Sequence, residues 1–171
     1  PSKKKTIQLG DPLLLKQIIN LPIVFNFRQN DLKNGGQGAP LIPVYHRALA
    51  KKIKEKKPTL FINIGGMSNF TYINKNKMFA SDIGPGNCLL DEWINSNTSM
   101  PYDKNGKMSS KGIVDFNFIN NFIDRMEHFE KRNVSYDTSD FSISELRGLS
   151  VEDGAATLSY LTAQLIADLI N

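Results

Sequence analysis

The chain holds 171 residues, 40% of them hydrophobic and 22% charged, with a formal net charge of +4. That is enough for one ordinary domain or two small lobes, the balance is that of a globular chain, and no apolar run approaches the roughly 18 residues of a bilayer crossing. A lone cysteine, Cys88, excludes a disulfide framework and cysteine-based metal spacing and points to a reducing compartment, and the charged start "PSKKKTIQLGDP" reads against a signal peptide.

In chain order, "TIQLGDPLLLKQIIN" predicts a short strand at 6–9 and then a helix. Asp11 is its N-cap, and Pro12 stands at the first helical position, where a missing N–H costs nothing. "LPIVFNF" is a second strand candidate. "RQNDLKNGGQGAPLIP", from Arg28 to Pro43, has no helical or strand period and reads as a long loop of the kind that carries function. Residues 44–56 predict a helix with Tyr45, Leu49 and Ile53 on one face. The lysine-rich run Lys51 to Lys57 is its solvated end, and Pro58 stops it. A nucleic-acid patch is the rival reading of those lysines, but no RNA- or DNA-binding signature accompanies them.

After Pro58 come a strand (59–64), Gly-Gly, a strand (69–73), an Asn/Lys turn (74–77), a strand (78–82) and a glycine loop. Two of the connections are short enough for antiparallel hairpins. Helices are predicted at 88–96 and 115–130, the second with Phe116, Ile119, Phe122 or Ile123, and Met126 as its stripe. "SYDTSDFSISEL" is loop-like. "SVED", from Ser150 to Asp153, is a capping-box pattern that opens a helix with Leu158, Leu161, Leu165 and Leu169 on one side. The class is α/β with a partly antiparallel sheet. A proline at position 1 and an apolar helical pattern still running at Asn171 read as an internal piece of a longer chain.

Three stretches could carry chemistry. In "NIGGMSN", two glycines at a strand end let backbone N–H groups approach an anion, with Ser68 and Asn69 as added donors; a plain hairpin turn or β-bulge explains the pair equally well. In "FASDIGPGNCLLDEW", Asp82 at a strand end, with Gly84 and Gly86 freeing the backbone, suits a proton acceptor or a hydrated metal ion. The structural alternative has Asp82 brace the loop and Asn87 cap the next helix. In "FRQNDLKNGGQGAP", Arg28, Asp31 and Gln37 offer the directional hydrogen bonds a polyhydroxylated ligand such as a sugar needs. No Walker motif or GxGxxG fingerprint is present. His46 and His128 suit surface or capping roles. Cys88 begins a helix, which favours a lower pKa, but has no base nearby, and Trp93 reads as core.

"QLGDP", "NFRQNDLKNGGQGAPLIPVYH", "LFINIGGMSNFTYI" and "SDIGPGNCLLDEW", in this order, resemble the anhydro-N-acetylmuramic acid kinases of bacterial peptidoglycan recycling, and "DGAATLSYLTAQLIADLI" fits the helix that follows them there. The resemblance implies an actin-like, hexokinase-type ATPase fold of two ribonuclease H-like α/β lobes. Residues 1–58 would end the N-terminal lobe and residues 59–171 begin the C-terminal one. It assigns Gly65, Gly66 and Asn69 to the ATP phosphates, Asp82 to the catalytic base, and Arg28, Asp31, Gln37, Gly84, Gly86 and Asn87 to the sugar side. ATP, Mg²⁺, a cytoplasmic location and a homodimer come with it. The implied reaction is hydrolytic opening of the anhydro sugar coupled to phosphorylation, giving N-acetylmuramic acid 6-phosphate. Two departures stand out. Asn26-Phe27-Arg28 replaces the family's usual Asp-Phe-Arg, and neither the first phosphate loop, of Gly-Thr-Ser-x-x-Gly type, nor the C-terminal glycine-rich adenosine segment occurs in these residues. A non-catalytic sugar- or nucleotide-binding protein of the same fold is the rival expectation, and this piece alone is expected to be inactive.

Overall fold

The structure, a computed structural model, describes residues 7, 9–36, 38–53, 57–126 and 136–170, and the backbone of 127–130. The chain divides into two compact units, Pro1–Glu55 and Lys56–Asn171.

The first unit contributes α1 (Pro12–Ile19), α2 (Phe27–Lys33) and α3 (Pro43–Ala50). Asp11 caps α1 as its position dictates, its carboxylate accepting the N–H groups of Leu13 at 2.8 Å and Leu14 at 3.1 Å. Asn20, at φ 50°, closes it in the left-handed conformation. The strand expected at 6–9 is not found at Ile7 or Leu9, and Thr6 and Gln8 lie outside the described residues. Nor is "LPIVFNF" a strand. Among the described residues this unit holds no strand to pair with it, and Asn26, at φ 61°, turns the chain out of the extended region and into α2. Helix α2 lies inside the stretch expected to be loop throughout. Its seven residues are too few to show a period, although Arg28, Gln29, Leu32 and Lys33 are good helix formers. Helix α3 ends at Ala50, ahead of the lysines. Lys51 and Lys52 make the turn that follows, and residues 54–56 lie outside the described residues. None of the three helices buries a residue fully, and Leu13, Ile18, Val24, Phe27 and Tyr45 are exposed.

The second unit opens with an antiparallel sheet in chain order, β1 (Thr59–Ile64), β2 (Met67–Asn74) and β3 (Lys77–Pro85). Lys75, at φ 52°, gives the second hairpin the left-handed residue its two-residue turn needs. On β3 the register slips. Ser68 faces Gly84 and Asn69 faces Asp82, so Ile83 is the extra residue of a β-bulge, and the strand runs three residues beyond its expected end. Helices α4 (Cys88–Asn97), α5 (Phe116–Glu130) and α6 (Val151–Ile170) follow.

One apolar cluster joins these helices, with Leu89, Trp93 and Ile94 from α4, Phe118, Ile119, Phe122 and Met126 from α5, and Leu158 and Leu161 from α6. On α5 the stripe runs through Phe118, Phe122 and Met126. The expected member Phe116 is 55% exposed and packs edge-on against Tyr160. On α6 Leu158 and Leu161 are buried as expected, whereas Leu165 and Leu169 are only half-buried. Burial concentrates instead at Gly154 to Leu158, where the helix is enclosed from two sides. On one side Trp93 lies against Gly154 and donates Nε1–H to the Val151 carbonyl at 3.0 Å. On the other, the N–H groups of Ile113 and Asp115 donate to Asp153 Oδ1 at 2.7 Å and Thr157 Oγ1 at 2.9 Å. Asp153 N–H donates to Ser150 Oγ at 3.0 Å, the cap the "SVED" pattern predicts. Because a Cβ at Gly154 would enter the Trp93 indole, Gly154→Ala costs about 2 kcal/mol of stability despite Ala's helix propensity, read as a lower melting temperature.

Candidate functional site

The Gly65–Gly66 turn between β1 and β2 and the Gly86–Asn87 link between β3 and α4 lie side by side, because both stand at the open end of the β2–β3 hairpin. Backbone bonds lock them together. Gly86 and Cys88 donate N–H to the Gly66 carbonyl at 2.9 and 3.1 Å, and Asn87 donates to Gly65 at 2.8 Å. From α6, Thr162 Oγ1 donates to the Gly86 carbonyl at 2.7 Å.

The four glycines serve different ends. A Cβ at Gly86 would collide with the Gly65 carbonyl oxygen and come within 2.8 Å of Ser68 Oγ. One at Gly84, whose φ is 151°, would press on Met126 Cε at 2.9 Å and Leu165 Cδ1 at 3.0 Å. Both are buried, so their lack of a side chain answers to the protein's own packing. Gly65 and Gly66 differ. Neither has a positive φ, and the nearest atoms to their Cβ positions are the Met67 carbonyl oxygen at 3.5 Å and Cys88 Cβ at 3.8 Å, ordinary contacts. Within the described residues nothing requires glycine there. What the pair provides is a stretch of backbone without side chains, with Gly66 exposed and the Gly65 N–H donated to the Met67 carbonyl at 3.3 Å.

Beside this turn the regular register of the second hairpin, unbroken up to the bulge, sets Asp82 directly across from Asn69, both half-buried. Asp82 Oδ2 accepts the N–H of Tyr136 at 3.2 Å. Burial pushes the Asp82 carboxyl above its ordinary 3.8 and outweighs that N–H, which pulls it down. A higher proton affinity makes an ionised carboxylate a better proton acceptor.

Other expectations need correction. Ser68, read as a possible donor to an anion, is fully buried, and its hydroxyl, which finds no hydrogen-bond partner among the described residues, faces Gly86. Asn87 occupies the N-cap position of α4 but makes no capping bond with its side chain. Backbone ties start the helix, and the side chain stays exposed. Burial pushes the Cys88 thiol up and outweighs the Leu89 and Cys88 N–H groups at the helix start, which pull it down, so the net shift is away from nucleophilic chemistry.

In the first unit, Arg28 and Asp31 lie one turn apart on α2 and grip the same glycine. Arg28 Nη1 donates to the Gly38 carbonyl at 2.5 Å, and Asp31 Oδ2 accepts the Gly38 N–H at 2.7 Å. The Asp31 carboxyl also fills the space where a Cβ at Gly36 would stand. Both side chains therefore shape the "GGQG" loop, and Gln37 itself lies outside the described residues. His46 lies on α3; the side chain of His128 is outside the described residues. Among the described residues no three His, Cys, Asp or Glu side chains converge as a metal site, and no helix is long and apolar enough to cross a membrane. Two site contacts have no signal in the local sequence, Tyr136 and Thr162, which lie 54 and 76 residues from their partners.

This is a mixed α/β unit whose antiparallel sheet carries a glycine turn beside a half-buried carboxylate of raised pKa. The family described as Anhydro-N-acetylmuramic acid kinase matches residues 1–171, and the chain belongs to that family. It is 42% identical over 168 residues to the Anhydro-N-acetylmuramic acid kinase of Pelagibacter ubique (strain HTCC1062), covering 96% of this chain and 45% of that protein. Against the protein of the same name from Rhodopseudomonas palustris (strain ATCC BAA-98 / CGA009) it is 42% identical over 168 residues, 98% of this chain and 46% of that one. For Zymomonas mobilis subsp. mobilis (strain ATCC 31821 / ZM4 / CP4) it is 38% identical over 164 residues, 95% and 44%. The chain thus spans about half the length of the curated relatives it matches.

Proposed function

We propose that the full-length protein is an ATP-dependent kinase that opens 1,6-anhydro-N-acetylmuramic acid with water and phosphorylates it to N-acetylmuramic acid 6-phosphate, in cytoplasmic recycling of cell-wall sugar. The observation that carries this reading is the glycine pair that internal packing does not require, set beside the half-buried Asp82. In an actin-like, hexokinase-type fold, residues 1–58 end the N-terminal lobe and residues 59–171 begin the C-terminal one. Gly65 and Gly66 receive the ATP phosphates, with Asn69 as a side-chain donor. Asp82 removes a proton from water as its oxygen bonds to the anomeric carbon. The bond from that carbon to O6 breaks, and O6 takes the γ-phosphoryl group as ADP leaves. Positioning and electrostatics supply most of the catalysis.

Of the residues read as sugar-binding, Asn87 offers an exposed side chain in the second unit, and in the first Arg28 and Asp31 hold the loop whose sequence carries Gln37. Gly84 and Gly86 act by giving the Asp82 loop its shape. Mg²⁺, when bound, neutralises phosphate charge. A single nearby carboxylate suits an ion held mainly by phosphate oxygens and water, and the described residues offer that and no all-protein cage. A homodimer is part of the same reading.

Release of ADP that depends on the anhydro sugar, measured with the full-length protein, tests it. Saturable sugar binding without ADP release would favour a non-catalytic binding protein, a reading kept in view by Asn26, an uncharged residue that makes no side-chain cap at α2. The packing predicts a further separation. Gly66→Ala leaves the melting temperature within about 1 °C but raises KM for ATP roughly tenfold, because its Cβ meets a ligand and not the protein.

A further inference from the structure

Asp82 is held from outside its own hairpin. Tyr136 N–H lies 3.2 Å from Asp82 Oδ2, and that backbone is pinned by the Tyr136 ring and by the turn that follows it. The Tyr136 ring packs on Phe141 with centroids 5.5 Å apart, and Phe141 stacks on the buried Phe122 at 5.6 Å. Directly after it, Asp137 caps a turn at Thr138–Asp140 reciprocally, taking Ser139 N–H at 3.0 Å and giving its own N–H to Asp140 Oδ2 at 2.8 Å. Neither the rings nor the capping box is needed to build the hairpin. Together they aim one N–H at one carboxylate oxygen, which restrains the carboxylate's rotation.

We propose that Tyr136 is a positioning residue of the reaction, its backbone N–H orienting the Asp82 carboxylate and favouring the charged form that accepts a proton. This rests on the reading of Asp82 as the base. The surroundings isolate the effect. Asn69 stands opposite on β2, and among the described residues no charged side chain contributes to the shift at Asp82; burial raises its proton affinity and the Tyr136 N–H lowers it. Removing the N–H therefore makes Asp82 harder to deprotonate.

The test uses the full-length protein with the anhydro sugar and ATP. Tyr136→Pro, which lacks the N–H, should move the acid limb of the kcat profile up by roughly one pH unit, a tenfold change in proton affinity, with KM for ATP unchanged. Tyr136→Phe keeps both N–H and ring and should overlay the parent. Phe141→Ala loosens the pin and should move the limb in the same direction by less. Leu158→Ala, a core truncation elsewhere, should lower stability without moving it. A carbon-13 titration of the Asp82 carboxyl should follow the same order. An acid limb and a titration that stay in place in Tyr136→Pro, or in Phe141→Ala if the proline variant does not fold, overturn the inference. Turnover that survives in Asp82→Asn overturns the reading of Asp82 as base instead, so the two failures are told apart.

Discussion

Asp82→Asn in the full-length protein lowers kcat by about 10²- to 10⁴-fold, the range a positioned general base supplies, and leaves ATP affinity within about twofold. The substitution keeps the side chain's shape and an oxygen that can accept the Tyr136 N–H, and removes only the ability to take a proton. Stability moves the other way. Burial raises the Asp82 pKa in the folded state, so its ionised form is disfavoured there relative to the unfolded chain, and this penalty is present at neutral pH and disappears as pH falls below the unfolded value. Asp82→Asn should therefore melt at the same temperature as the parent or higher at pH 7. A residue that merely braced its loop would give the reverse, with lower stability and retained turnover. In the parent, activity should fall on the acid side with an apparent pKa above the ordinary 3.8, since the base must be ionised to act.

Gly86→Ala should damage both properties at once. Its Cβ would run into the Gly65 carbonyl oxygen and sit 3.2 Å from that of Gly66, and backbone cannot rotate aside as a side-chain tip can. Relief requires separating the two loops, which breaks the bonds from Gly86, Asn87 and Cys88 to the Gly65–Gly66 turn and strains the tie from Thr162. Overpacking together with lost buried hydrogen bonds costs about 3 kcal/mol or more. A lower melting temperature and at least a tenfold rise in KM for ATP should appear together, in contrast to Gly66→Ala, where the second appears alone. Equal stability in parent and Gly86→Ala would show that the loops are not locked as described.

The sheet was legible because its signals are local. Alternating apolar residues, a Gly-Gly pair and an Asn/Lys turn define three strands and two hairpins without reference to the rest of the chain; α4 follows from periodicity and the start of α6 from its Ser150 cap. Expectations failed where a partner decides. The apolar run at 21–27 reads as a strand from composition, but a strand needs a neighbour, and Asn26 turns the chain into a helix too short to be seen as periodic. Phe116 and Phe118 both suit the stripe of α5, and only packing chooses between them. The site divides in the same way. Asn69 and Asp82 meet because a hairpin makes sequence neighbours into spatial ones, so their pairing could be anticipated from the turn between them. The sorting of glycines into packing-bound (Gly84, Gly86) and open (Gly65, Gly66) depends on what a Cβ would touch, a tertiary property that sequence does not carry. Arg28 and Asp31 had the right chemistry for a sugar, yet their hydrogen bonds go to Gly38, which makes them shapers of the loop.

The most direct measurement is the chemical identity of the product that the full-length protein makes from ATP and 1,6-anhydro-N-acetylmuramic acid, determined by mass and phosphorus NMR. The predicted product is N-acetylmuramic acid 6-phosphate, ring-opened and formed in equal amount with ADP, because the proposed mechanism couples water activation at Asp82 to phosphoryl transfer at the glycine turn. A phosphorylated sugar with its anhydro bridge intact, or an opened sugar without phosphate, would contradict that coupling and the role given to Asp82.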